Sequence, residues 1–467
     1  MRISSTLIIA GLAASVLTGC KSLYGQYERP KVNTTGLVRD SSAVGAADTL
    51  VAADTASFGN MEWRQVFTDA KLQYLINKAL KNNPDYLNAA LNVDMAEAQL
   101  KAAKLSFLPS FSFTPQGTIA SWDGGAATKT YSLPVNASWN VDLWGNLLSQ
   151  KRSAQMALLQ TKDYQVSVQT NLIANVANLY YTLCMLDKQL ELVGNMKTLV
   201  KDTWDIMKVQ KDLSMGIRST GVQAAESNYY SVLTQETDIK RQIRETENSL
   251  SLLVGQPVQS IQRNSLDSQS LPGKFSTGIG LQLLRNRADV HAAEMNLAQC
   301  FYGIETARSR FYPALNISAS GAFTNNGGGM ITNPGKWLLS AVGALTQPIF
   351  QNGKLIAGLR VAKDQYQQAY NKWQNTIYKA GSEVSNALVL YNSSAEKSAI
   401  EKQQEEVLEK NVEDTKALLQ SSSNQTYLEV IQAQSSLLNT QLSRVQDDFY
   451  KMQAVVNLYY ALGGGAK

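Results

Sequence analysis

The sequence predicts an α+β membrane protein, with long antiparallel coiled-coil helices continuous with four membrane strands and the plan written twice in one chain. Three observations predict it: a duplication with its copies about two hundred residues apart, two long proline-free stretches with a heptad apolar pattern, and segments between them in which apolar residues alternate.

Leu80, Asn82, Asp85, Ala89, Asn92, Ala103, Phe107, Pro109 and Gly117 recur as Leu284, Asn286, Asp289, Ala293, Asn296, Ala307, Phe311, Pro313 and Gly321, nine identities over 38 ungapped positions at an offset of 204. After a small insertion, Gly145, Leu147, Val222, Ala225, Ser227, Leu250 and Gly255 return at offset 208 as Gly353, Leu355, Val430, Ala433, Ser435, Leu458 and Gly463. A unit this long is too large for a solenoid repeat and implies two-fold pseudosymmetry inside one body. The segmentation follows: residues 1–19 a lipoprotein signal peptide, 20–60 a lipid-anchored extended segment, 61–270 the first repeat and 271–467 the second. Strands are expected over about 110–144 and 314–350, helices over about 145–254 and 353–462.

Arg2 opens a basic stretch, and Leu7 to Leu17 is an apolar run too short to span a bilayer. It ends in Leu17-Thr18-Gly19-Cys20, the pattern of a bacterial lipobox, in which Cys20 is lipidated and becomes the new N-terminus. Acyl chains contribute about 0.8 kcal/mol per buried methylene, so several together anchor a chain. Lys21 follows, with no aspartate to suggest inner-membrane retention, so outer-membrane lipid is the expected partner. Removing residues 1–19 deletes only Arg2 and leaves 42 basic and 38 acidic side chains, too balanced to argue for nucleic acid. Beyond Cys20 only Cys184 and Cys300 remain, each in a helical pattern, which reads as small core residues rather than a disulfide framework.

No proline occurs between Pro134 and Pro257, and none after Pro348. An interior proline costs a helix about 3 kcal/mol, so these stretches can hold very long helices. Val168, Leu172, Val176, Leu179, Leu183, Leu186, Leu190 and Val193 alternate steps of four and three, and the series resumes at Val200, Trp204 and Met207. That is the coiled-coil seam. A helix over Gly145–Leu213 is followed, after the turn Ser214–Ser219, by a second over Val222–Val254. The second half repeats this with Gly353–Gln420, a Ser421–Asn424 turn and Tyr427–Leu462.

Between the helices the period changes to two. Tyr131, Leu133, Val135, Ala137, Trp139, Val141 and Leu143 share one face, opposite Ser132, Pro134, Asn136, Ser138, Asn140 and Asp142. Phe111, Phe113 and Ile119 alternate with Ser112, Thr114 and Thr118; Leu315, Ile317, Ala319 and Phe323 alternate with Asn316, Ser318, Ser320 and Thr324; a fourth strand is expected from Trp337 to Phe350. Segments of this length suit tilted membrane strands, with Trp122, Trp139, Trp144 and Trp337 as an interfacial girdle. Asp123-Gly124-Gly125-Ala126 and Asn325-Asn326-Gly327-Gly328-Gly329 are the expected hairpin loops. Four strands cannot close a barrel, and open edges are forbidden in lipid, so the chain must oligomerise around a water-filled interior.

These features resemble the TolC family of outer-membrane efflux proteins, and most closely its NodT-like lipoprotein branch. The resemblance rests on Leu17–Cys20, Trp63-Arg64-Gln65-Val66-Phe67-Thr68-Asp69 and Leu80-Lys81-Asn82-Asn83-Pro84-Asp85. It rests also on the paired Phe107-Leu108-Pro109 and Phe311-Tyr312-Pro313, on Asp142-Leu143-Trp144-Gly145 and on Gln347-Pro348-Ile349-Phe350. It covers the chain from Cys20 to the end. It implies a homotrimer pooling a 12-stranded transmembrane β-barrel continuous with a helical tunnel. It also implies a periplasmic adaptor as partner and, through it, an inner-membrane RND-type transporter, with no catalysis and no cofactor. The turns Gly216-Ile217-Arg218-Ser219 and Asn424-Gln425-Thr426 are then the periplasmic tip where the adaptor docks. Members of the family narrow this end with aspartates just before the second-repeat Tyr-Leu motif; here Tyr427-Leu428 is preceded by Asn424, Gln425 and Thr426. Gln425 is therefore the expected constriction residue, with Glu429 and Asp414 as the alternative charge donors. An amide ring implies weak cation selectivity and little block by trivalent cations.

The leading function is a passive exit duct for small toxic molecules. Its rivals are an outer-membrane duct for type I protein secretion, a non-conducting coiled-coil envelope lipoprotein, and an envelope enzyme. The enzyme is poorly supported: the one histidine, His291, lies in a helical stretch and reads as a packed or solvated residue, and there is no Cys/His cluster, nucleophile elbow or phosphate-binding glycine loop.

Overall fold

The motifs that head each helix explain where the chain turns. The computed structural model describes residues 25–32, 58–121, 123–213, 217–271, 287–325, 336–421 and 427–466. Cys20, Trp122, Gly216, Asn326 to Gly329 and Asn424 to Thr426 lie outside these residues. Two compact units emerge, each drawing on both halves of the sequence. One comprises residues 1–32, 91–163 and 291–376, the other 33–90, 164–290 and 377–467.

A short helix α1 (Trp63–Val66) leads into α2 (Ala70–Asn82) and α3 (Pro84–Leu105). Asp69 caps α2 by accepting the Lys71 N–H at 2.8 Å. Burial raises the Asp69 pKa, but hydrogen bonds from Tyr180, Gln269, Lys71 and Asn264 outweigh it and hold the carboxyl below the usual range. Asn83 does the same for α3, accepting from the Tyr86 N–H at 3.0 Å, with Pro84 at the first helical position where no N–H is needed.

Strands β1 (Ser110–Phe113), β2 (Gln116–Ala120) and β3 (Thr128–Val141) precede α4 (Asn146–Asp212) and α5 (Ser219–Leu253). The series then recurs with α6 (Ala288–Ser309), β4 (Ala314–Thr324), β5 (Lys336–Thr346), α7 (Lys354–Ser421) and α8 (Tyr427–Ala461). Lengths correspond: 22 residues for both α3 and α6, 67 and 68 for α4 and α7, and 35 for both α5 and α8.

The sheet is antiparallel in the order β1-β3-β4-β5, with β2 also on β3. The arm expected as one strand is two, because Pro115 interrupts it. The register nevertheless continues: Phe113 faces Val135 and Gln116 faces Ser132. The Thr114 N–H donates to the Pro134 carbonyl at 3.3 Å, and Pro134 has no N–H to return. β5 stops at Thr346, short of the expected Phe350, because Pro348 follows. In the loop of the first hairpin Asp123 and Gly124 both take positive φ, 56° and 75°, a backbone region that glycine and aspartate enter more readily than other residues.

In the second unit a continuous apolar core joins α1, α2, α4, α5, α7 and α8 around Tyr180, Tyr181, Leu183, Leu250 and Val456. Trp63 and Phe67, from the Trp63–Asp69 motif, are buried in it. Cys184 is a buried free thiol donating to the Asn264 carbonyl at 3.3 Å, and burial pushes its pKa up to about 12. In the first unit, the extended segment 25–32 lies on α6: Tyr27 meets Phe301 edge-on with centroids 6.0 Å apart, and Arg29 forms a two-point ion pair with the buried Glu294.

Candidate functional site

In the first unit the candidate site is the sheet itself. Register places Phe113, Val135, Gly321 and Leu339 side by side on one face, together with Ala137, Trp139, Ile317, Phe323 and Trp337. The opposite face carries Ser112, Asn136, Ser138, Asn316, Ser318 and Ser320, with Leu338 and Val342 of β5 as apolar members. The apolar face is open: Trp337 is 74% and Leu339 81% exposed. Among the described residues, both outer strands present an unpaired edge. An antiparallel sheet with one apolar and one polar face separates hydrocarbon from water once its edges are paired. Trp139 donates to the Phe107 carbonyl at 2.9 Å, and Trp144 stacks on Tyr312 while donating to the Pro313 carbonyl at 2.6 Å.

In the second unit the candidate site is the pair of helix reversals. Ile217, like Trp204 and Tyr427, packs against a buried cluster of Met207, Ala225, Leu419 and Val430. Arg218 and Ser219 are exposed. Helix α5 begins at Ser219, three residues before the expected Val222, so Ser219 belongs to the helix rather than the turn. Gly221 sits inside the first turn of α5, where the Tyr427 ring occupies the space of a side chain: a Cβ there would meet Tyr427 Cδ1 at 2.8 Å. Sequence reasoning missed Gly221; a glycine inside a helical pattern was the available signal. Gln210 donates to the Leu419 carbonyl at 2.9 Å, and buried Gln434 donates to Thr203 at 2.7 Å, tying the two helix pairs together. Asp414 and Glu429 are exposed on α7 and α8.

His291 lies beside Asp163, with Nδ1 2.6 Å from Oδ2. That hydrogen bond raises its pKa above the usual histidine value, against the opposing effect of burial. Among the described residues no group of three His, Cys, Asp or Glu side chains is placed to hold a metal ion, and no helix is long and apolar enough to cross a membrane.

Long paired helices attached to a two-faced sheet define a protein of the outer-membrane channel fold. The sequence profile of the outer membrane efflux protein family matches residues 75–256 and again residues 281–464, and the chain belongs to that family. It is 29% identical over 463 residues to the cation efflux system protein CusC of Escherichia coli K12, covering 97% of this chain and 98% of that protein. It is 27% identical over 485 residues to the probable efflux pump outer membrane protein TtgC of Pseudomonas putida, covering 99% and 96%. The Campylobacter jejuni CmeC outer membrane channel superposes with a TM-score of 0.82 at 21% identity, covering 95% of both chains.

Proposed function

We propose that this chain is one subunit of a passive exit duct through the outer membrane, the last component of a tripartite efflux pump for small toxic molecules. The observation that carries this is the sheet, apolar on one face, polar on the other and unpaired at both edges among the described residues. Hydrocarbon does not tolerate free strand edges, so the β1/β2 edge of one copy pairs with the β5 edge of the next. Three copies would pool a 12-stranded barrel, as the family resemblance implies. The two sequence repeats, 61–270 and 271–467, are then the two halves of each subunit's wall. Cys20 carries the lipid anchor. Turns Gly216–Ser219 and Asn424–Thr426 receive a periplasmic adaptor, which links the duct to an RND-type inner-membrane transporter. Gln425, with Glu429 and Asp414 nearby, lines the narrow end.

Conductance across a planar bilayer, with the mass of the detergent-solubilised protein, tests this reading. Discrete channels from a trimer are expected. A stable monomer in lipid, or trimers that pass no current, would overturn it.

A further inference from the structure

Helices α4 and α7 present the same four positions to one groove of about 490 Å³ in the first unit: 150, 153, 154 and 157 on α4, and 358, 361, 362 and 365 on α7. The offset between the two sets is 208, so the groove lies between equivalent faces of the two halves. Its wall is made mostly of amides and small side chains, with Thr306, Arg310 and one exposed apolar member, Val361. Gln150 stands where the other half has Gly358, and Gln365 where it has Ala157. Gly358 and Gly303 face open space. The opposite faces of these helices carry exposed apolar side chains: Leu159 lies about 200° around α4 from Ala157, and Ile356 about 200° around α7 from Gly358. Leu159 and Ile356 favour burial against another surface, whereas the amide face favours water.

One charged side chain lines this groove, Arg310, just beyond the end of α6. It is exposed and has no ion-pair partner among the described residues, whereas its neighbour Arg308 is paired with Glu305 at 2.6 Å. The position equivalent to Arg310 in the first half is Ser106, so each subunit brings one such cation rather than two.

We propose that the groove is part of the water path and that Arg310 is a specificity-determining residue of the duct, favouring anionic over cationic solutes. The inference rests on the exit-duct reading. Three subunits place three uncompensated guanidinium groups around one lumen, which raises the local concentration of anions.

The test is the reversal potential of wild-type trimers in a planar bilayer under a potassium chloride gradient at low ionic strength. Arg310→Gln should lower the chloride-over-potassium permeability ratio by about twofold or more, and Arg310→Glu should lower it further. Arg310→Lys should keep the wild-type ratio, and so should Arg308→Gln, since Arg308 lies outside the groove wall. An unchanged ratio in Arg310→Gln channels of normal conductance would overturn the inference and leave the duct standing. Wild-type trimers that carry no current would overturn the duct and this inference with it.

Discussion

Asn83 and Arg287 hold equivalent carbonyls. The Asn83 amide donates to the Leu253 carbonyl at 2.9 Å, and the Arg287 guanidinium donates to the Ala461 carbonyl at 3.1 Å. Asn83 and Arg287 are 204 residues apart, and Leu253 and Ala461 are 208 apart, the same offsets as the sequence identities. Each side chain ties the start of a 22-residue helix to the last residue of a 35-residue helix. The joint recurs although the residue types differ. Arg287 is also paired with Asp289 and Glu383 and its side chain is 3% exposed. Removing one partner of a buried ion pair costs about 3–5 kcal/mol, while losing a cap and a hydrogen bond costs about 1–2 kcal/mol. Arg287→Ala should therefore lower the melting temperature of the solubilised protein more than Asn83→Ala. Equal losses would mean that the Arg287 ion pairs add nothing to the joint.

The Gly221–Tyr427 contact predicts a size-dependent defect at the helix reversals. Gly221→Val should displace the Tyr427 ring and reduce efflux without changing the oligomeric state of the solubilised protein. Tyr427→Ala in that background should restore part of the loss, because it vacates the space the new side chain needs. Strict additivity of the two substitutions in a resistance assay would show that the ring and the glycine do not share this space.

Long helices and the two-faced sheet were legible because both rest on periodicity. The seam from Val168 to Met207 lies within α4, and the odd-numbered apolar residues of β3 share one face. Boundaries were less legible where one residue acts against its neighbours. Pro115 splits an arm whose alternation continues unbroken, and at Gly221 a ring 206 residues away in sequence leaves no room for a side chain. The Asn83 and Arg287 joints were invisible to an identity search, since an amide and a guanidinium supply the same donor. Arg310 drew no notice in the sequence because only the groove distinguishes it from Arg308.

His291 gives a pH-dependent prediction, and as the one histidine it is a clean probe. The hydrogen bond to Asp163 raises its pKa; burial and Arg29 oppose this, and the charges of Asp163 and Glu294 add to it. A raised folded pKa means that the protonated pair stabilises the protein fully below the unfolded value of about 6.5 and that this contribution is lost as pH rises through the folded value. Labelled-histidine NMR should show titration above about 6.5 in the wild type and a lower midpoint in Asp163→Asn. A wild-type midpoint below the unfolded value would refute the pairing.

Gly255 and Gly463 close the two 35-residue helices in the left-handed conformation, with φ of 73° and 83°. Behind them Gln256 N–H bonds the Ser251 carbonyl and Gly464 N–H bonds the Tyr459 carbonyl, both at 2.9 Å, the pattern that satisfies the last carbonyls of a helix. This gives a physical reason for their recurrence at offset 208. A non-glycine residue in this conformation costs about 1–2 kcal/mol. At Gly255 a Cβ would also meet the Asn82 carbonyl oxygen at 2.6 Å, a backbone atom that cannot turn aside. Gly255→Ala should therefore destabilise by more than the conformational cost alone, and Gly255→Asn, which tolerates the left-handed region, should recover only part of it because the clash remains. Thermal melting of the solubilised protein decides this. Full recovery in Gly255→Asn would show that conformation alone governs the site and that the Asn82 contact yields freely.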